Sequence, residues 1–208
     1  MTMIIAGAVT FFFTTLLTIA GVGAAFVLIP VFIALGVEVH VAMATALLLN
    51  AVGMAVASVT FVRKRLVVWP LALPMLVVAT LLSPLGAWVS QSLDRSLLLW
   101  LFTGFLLFAA LMMLFYRPQK RDVVYSRRLL LGLGMGVGGF AGFLGGLIGV
   151  GGGNIIVPVL VFLGFDPKKA SGTTSFIVIF SSLAGFLGHA SLAGVEGVWL
   201  GTMATASA

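Results

Sequence analysis

The 208-residue chain is 62% hydrophobic and 8% charged, contains no cysteine and carries a formal net charge of +6. That leaves too little polar side chain to cover a water-facing surface, which excludes an ordinary soluble domain, and the missing cysteines exclude disulfides, thiolate metal sites and iron–sulfur clusters. The positive charge does not point to nucleic acid, because ten of the eleven Lys and Arg residues fall in three short breaks between apolar runs, at 63–65, 117–128 and 168–169. That is the loop bias of a membrane protein.

In chain order, the apolar runs predict segments over 3–36, 41–62, 67–91, 96–116, 129–164 and 169–190, with another starting near 197 and cut off at Ala208. About 20 apolar residues cross a bilayer as a helix. Four of these segments have that length, and the first and fifth are too long for one simple helix. The expected fold is therefore an all-α polytopic membrane protein with six to seven hydrophobic segments. No basic residue precedes the first run, so it is expected to stay as structure and not to be cleaved as a leader.

The two long segments also match each other. A shift of 128 residues lays GVGAAFVLIPVFIALG (21–36) on GVGGGNIIVPVLVFLG (149–164), with identities at Gly21/Gly149, Val22/Val150, Gly23/Gly151, Pro30/Pro158, Val31/Val159 and Gly36/Gly164. The match runs on through Glu38/Asp166, Ala42/Ala170 and Thr45/Thr173, and after a two-residue insertion Trp69 meets Trp199. Aligned Gly and Pro signal an internal duplication: a first repeat over 1–116, a basic cytoplasmic linker over 117–128, and an incomplete second repeat over 129–208. A complete second copy would continue past Ala208, so its final span and a half are expected to be missing.

Charge orients the halves. If every segment crosses once, the repeats are parallel and three of the eleven basic residues fall outside. If the long first and fifth segments are discontinuous or re-entrant, the halves are inverted and only Arg95 falls outside. Inverted repeats are the better account.

Irregular backbone at membrane depth survives only when buried in protein or lining a cavity, and duplicated Gly/Pro-interrupted segments point to a transport site. The expected site is the run of peptide N–H groups at Gly149, Gly151, Gly152, Gly153 and Asn154, a concave donor surface suited to an anion. Gly21 and Gly23 are its counterparts in the first copy. Thr173, Thr174 and Ser175 open the sixth segment and are expected to complete the site, with Thr45 as the repeat partner of Thr173. Asn50 is a polar residue inside an apolar run; Asn154, which abuts the glycines, ranks above it. Plainer roles compete. Glycines also line helix contacts, as in the spacing of Gly138, Gly142 and Gly146, and hydroxyls also cap or bridge helices. Asp166-Pro167 reads as an N-cap followed by proline at the first helical position, with Glu38 as a weaker counterpart. His40 and His189 are expected at the membrane interface, and Trp69, Trp88, Trp100 and Trp199 as interface anchors.

The GVGGG element (149–153), followed by Pro158 and Leu163-Gly164, then KKASGTTS (168–175) and a weaker copy upstream, resembles the TauE/SafE sulfite exporter family. Ala24 and Ala25 depart from it where glycines are often found. The resemblance implies a bacterial or plant membrane transporter of two homologous halves, handling sulfite, sulfoacetate, taurine-related or other sulfur-containing organic anions.

The expected function is a secondary transporter that exports small sulfur-containing anions by alternating access, placed as a multi-pass protein in a bacterial plasma membrane. A passive anion channel and a non-transporting membrane assembly factor are the alternatives. Catalysis is not expected: GLGMGVGG (132–139) lacks the strand–helix context of a dinucleotide site, and paired carboxylates and His/acid clusters are missing. No cofactor or metal is expected. The expected partners are a small anionic substrate and the bilayer, without nucleic acid; a homo-oligomer is compatible.

Overall fold

The computed structural model describes residues 14–15, 23–115 and 126–193. Among these, the regular structure is helical: α1 (Ala25–Ala34), α2 (Val39–Arg63), α3 (Trp69–Gln91), α4 (Arg95–Phe115), α5 (Arg127–Leu147), α6 (Gly153–Phe162) and α7 (Pro167–Ala193). Four of them, α2, α3, α5 and α7, are long and apolar enough to cross a membrane.

The helix limits follow from local chemistry. Each of the short helices α1 and α6 ends in a left-handed glycine, Gly36 at φ +85° and Gly164 at φ +89°. Beyond each glycine the next N–H turns back to the helix, Val37 to the Phe32 carbonyl and Phe165 to the Leu160 carbonyl, at 3.0 Å in both cases. Glycine suits this Schellman stop because any Cβ would strain it. The following helices are capped from their own side chains: Glu38 accepts from the Val41 N–H at 3.0 Å and Asp166 from the Lys168 N–H at 2.9 Å. Glu38 thus caps α2 as fully as Asp166 caps α7. Ser126 caps α5, and a proline stands in the first turn of α3.

Packing splits each long helix into two faces. On α2, Met43, Leu47, Asn50 and Met54 are buried while Val52, Val56 and Val59 are exposed. On α3, Ala72, Met75, Ala79 and Ser83 are buried while Leu73, Val77, Leu81 and Leu85 are exposed. Both the inner and outer rows are apolar, the pattern of helices whose outer face meets lipid.

α3 and α5 run parallel at very close range. A Cβ on Gly134 would meet Pro74, one on Gly138 would lie 2.7 Å from Met75 Cα, one on Gly142 would run into Ala79, and one on Gly146 into the Ser83 backbone. This row, one glycine per turn, is small-residue packing of the membrane kind. α2 and α7 run antiparallel: the His40 and His189 rings are 6.2 Å apart at one end, Asn50 bonds Ser182 near the middle, and just beyond the end of α2 the Val68 N–H reaches Thr173. The start of α7 therefore shares an end of the array with the start of α3, and so with the start of α5. Arg63, Lys64, Arg65, Arg127, Arg128, Lys168 and Lys169 lie at this end; Glu38, His40, His189 and Arg95 lie at the other.

Two buried clusters mark those ends. Leu71, Leu160, Val161 and Ala170 pack together near the basic end, joined by Leu130 and Leu163 from the two ends of the α5–α6 segment. Leu28, Phe32, Val39, Leu98 and Ile148 pack together near the other.

Candidate functional site

The polar residues of the core concentrate where the two glycine breaks meet α2 and α7. Gly149, Gly151 and Gly152 have φ of +74°, +76° and +74°, and Gly23 has φ +92°. These are left-handed conformations that glycine takes at little cost. Close approach adds a second requirement. A Cβ on Gly151 would stand 2.9 Å from Asn50 Nδ2 and run into Ser182 Oγ, and one on Gly23 would collide with Asn50 Oδ1.

Asn50 bonds the first break and α7, and packs on Gly151 of the second break. Its Oδ1 accepts from the Ala24 N–H at 3.0 Å, and its Nδ2 donates to Ser182 Oγ at 3.0 Å. Next to it, Ser181 Oγ donates to the Gly151 carbonyl at 3.2 Å, and Ser83 Oγ donates to the Ser181 carbonyl at 2.8 Å. Asn50 is 1% exposed and Ser182 0%. Buried polar groups are tolerable only when bonded in this way.

The N–H groups of the second break divide into two sets. Those of Val150 and Gly151 both donate to the Gly145 carbonyl, at 2.9 and 3.1 Å, so they close the end of α5 and are not ligand donors. Those of Ile155 and Ile156 both reach the Gly152 carbonyl at 3.1 Å. The N–H groups of Gly152, Gly153 and Asn154 remain at the first turn of α6, where a helix has no internal acceptors to offer. In the first break the Val27 and Leu28 N–H groups likewise reach the Ala24 carbonyl, at 3.0 and 3.1 Å, but there the Ala24 N–H is taken by Asn50. Asn154 is 8% exposed, and its Oδ1 is buried without a partner among the described residues.

The other expected site residues are placed elsewhere. Gly149 packs on Met43, where a Cβ would lie 2.6 Å from the Met43 side chain. Thr173 Oγ1 accepts the Val68 N–H at 3.0 Å and so fastens the start of α3. At about 1.5 Å of rise per residue, Thr173 lies some 13 Å along α7 from Ser182, too far to share a small ligand with it. Ser175 Oγ donates to the Ser171 carbonyl at 2.7 Å. The hydroxyls of Thr45 and Thr174 are buried without a partner among the described residues. Gly21 lies outside the described residues.

Asn50, not Asn154, is the centre of the polar network, because its place midway along α2 lets it reach both glycine breaks. Ser181, Ser182 and Ser83 escaped the sequence reading; the available signal was Ser181-Ser182 itself, a polar pair inside an apolar run. His189 lies at the same end as His40 but is buried within the protein. It is 0% exposed and its Nε2 donates to the Gly146 carbonyl at 2.8 Å. His40 is half-buried, with its Nδ1 donating to Glu38 Oε1 at 2.9 Å. Partial burial pushes the Glu38 carboxyl up, but the His40 backbone N–H, the His40 ring and the Val41 N–H together outweigh this and hold it below the ordinary carboxylate value of 4.5.

The profile of the family described as "Sulfite exporter TauE/SafE" matches residues 6–208. The chain belongs to the TauE/SafE sulfite exporter family. It is 39% identical over 88 residues to the "Probable membrane transporter protein YunE" of Bacillus subtilis (strain 168), a match covering 37% of this chain and 32% of that protein. It is 43% identical over 68 residues to "Sulfite exporter TauE/SafE family protein 6" of Arabidopsis thaliana, covering 33% of this chain and 14% of that protein. It is 52% identical over 42 residues to family protein 1 of the same plant, covering 20% of this chain and 9% of that one. The matches thus span a third or less of each relative's length. No solved structure matches the chain. Membership of this family accords with the four helices that are long and apolar enough to cross a membrane.

Proposed function

We propose that this protein is a secondary transporter exporting small sulfur-containing anions, sulfite or organosulfonates, across a bacterial plasma membrane, from a site at the first turn of α6. The substrate's oxygens accept from the N–H groups of Gly152, Gly153 and Asn154 at the positive end of the helix dipole, beside Ser181, Ser182 and Asn50. A membrane interior makes such donors count, since water is not there to compete for them.

The carrying observation is the unequal filling of two matched helix starts. At α1 the Ala24 N–H is satisfied by Asn50 Oδ1. At α6 the corresponding Gly152 N–H has no such side chain, because Val178 stands at the position that corresponds to Asn50. One start is closed by a side chain, and the other, packed on Gly145, has no such acceptor among the described residues.

We further propose that the chain holds two inverted halves that rock about this site. Support comes from registration: α1 and α6 begin at Ala25 and Gly153, and α2 and α7 at Val39 and Pro167, each pair separated by the same 128 residues as the sequence match. The corresponding helices α2 and α7 lie antiparallel, as inversion requires. The α5–α6 segment returns to its starting end, which is the re-entrant course that places the basic segments together on the cytoplasmic side. An inside-negative potential then expels an anion by about 2.3 kcal/mol per charge per 100 mV, without a coupling ion. Labelled-sulfite efflux from proteoliposomes, competed with sulfate, thiosulfate, taurine and sulfoacetate, tests the assignment. Saturable flux blocked by sulfur anions supports it. Current without saturation indicates a channel, and no flux for any anion removes the transport assignment.

A further inference from the structure

At the end of the array away from the basic residues, two imidazoles face each other in an arrangement that transport at α6 does not use. We propose that His40 and His189 form a shared proton-binding site, loaded from the aqueous phase at that end, whose occupancy is felt by the glycine turn between α5 and α6. Their outer bonds fix the tautomers. His40 Nδ1 donates to the Glu38 carboxylate at 2.9 Å, and His189 Nε2 donates to the Gly146 carbonyl at 2.8 Å. Each neutral ring is left with a bare nitrogen, Nε2 of His40 and Nδ1 of His189, and both are buried without a partner among the described residues. The ring centroids are 6.2 Å apart. At this separation the rings cannot bond each other directly, but one added proton carried on a bridging water satisfies both bare nitrogens.

The path inward from water is continuous. The Glu38 side chain is 59% exposed and that of His40 24%, whereas His189 is fully buried. The charges acting on the His189 ring are those of His40 and Glu38. Its bonded neighbour on α5 is Gly146, and α3 packs Ala87 and Pro84 against the adjoining Gly188; none of these titrates, while Asp94 and Arg95 share this end of the array at the start of α4. The inner end of the path is mechanical. Gly146 adjoins Gly145, whose carbonyl holds the Val150 and Gly151 N–H groups, so the ring that takes the proton is bonded to the last turn of α5, one residue from the carbonyl that anchors the glycine turn.

The sequence contains two histidines, so the test is imidazole ¹⁵N NMR of the histidine-labelled chain in lipid nanodiscs, without a histidine tag, followed across pH. Coupled sites titrate as a pair. We expect two macroscopic steps that belong to the pair, and removing either ring, by H40Q or H189Q, should change the titration curve of the ring that remains. Independent single-site curves, with His40 unmoved in H189Q, overturn the proposal. H40Q, read at His189, repeats the test should H189Q fail to fold. A second arm separates this site from the transport assignment: labelled-sulfite efflux against external pH. Coupled titration together with an external-pH dependence that both variants flatten supports the link to the glycine turn. Flux whose pH dependence survives both variants overturns that link. Coupled titration without any flux leaves the proton site standing and removes transport.

Discussion

Asn50 and Ser182, one on each of two antiparallel helices, are joined by a 3.0 Å hydrogen bond at the level where both glycine breaks meet the core. The same Asn50 holds the Ala24 N–H, so one carboxamide ties α1, α2 and α7 together.

The two partners should not cost the same when removed. Asn50→Leu leaves the Ala24 N–H and the Ser182 hydroxyl unpaired in the core, a loss of about 1–3 kcal/mol for a buried unsatisfied group. Ser182→Ala keeps the Ala24 bond and leaves only Asn50 Nδ2 unpaired, so with one orphaned group against two it should cost less. Thermal unfolding in detergent reads the difference, and equal losses would show that Asn50 is not the common tie.

Along α5, neighbouring glycines should respond to alanine with opposite signs. Gly142 faces α3, where a Cβ would run into the Ala79 backbone, whereas Gly136 has nothing within 4 Å. Gly142→Ala forces the helices apart, an overpacking cost of about 1–3 kcal/mol. Gly136→Ala gains helix propensity, up to about 1 kcal/mol. Melting temperatures of the two variants should fall on either side of the wild type.

Glu38 gives a pH signature. Its carboxyl is held below the ordinary value of 4.5, so the stability it contributes is present above that value and is lost as pH falls through the lower folded value. Glu38→Gln should therefore melt lower than wild type at neutral pH, and the gap should close on acidification below about 4.5. A gap unchanged by acid would mean that the carboxylate does not act as a charged cap.

These contrasts also show what the sequence could and could not reveal. Hydropathy, charge and the Gly/Pro spacing were enough to place the long helices, because in lipid those features alone decide which segments can cross. Gly138, Gly142 and Gly146 declared their packing role through four-residue spacing. The centre of the polar network was harder. Asn50 and Ser182 lie far apart in sequence, and their meeting depends on the antiparallel register of α2 and α7, which no local pattern encodes. The burial of His189 was hidden for a similar reason: only the packing of α7 against α5 brings the Gly146 carbonyl to its ring. Thr173, despite its match to Thr45, serves the start of α3, because the turn before α3 leaves the Val68 N–H in need of an acceptor.

The central claim is that peptide N–H groups at the start of α6 hold the anion, and one pair of variants isolates them. Gly153→Pro removes a single N–H at the first helical position, where proline's own φ fits although it presses on the left-handed Gly152 before it, whereas Gly153→Ala retains the N–H. Labelled-sulfite efflux from proteoliposomes should show half-saturation roughly ten- to a hundredfold weaker in the proline variant than in the alanine variant, as expected for the loss of a hydrogen bond to a charged group, with both proteins melting as folded. Equal affinity in the two folded variants would contradict the claim and return the glycines to packing alone.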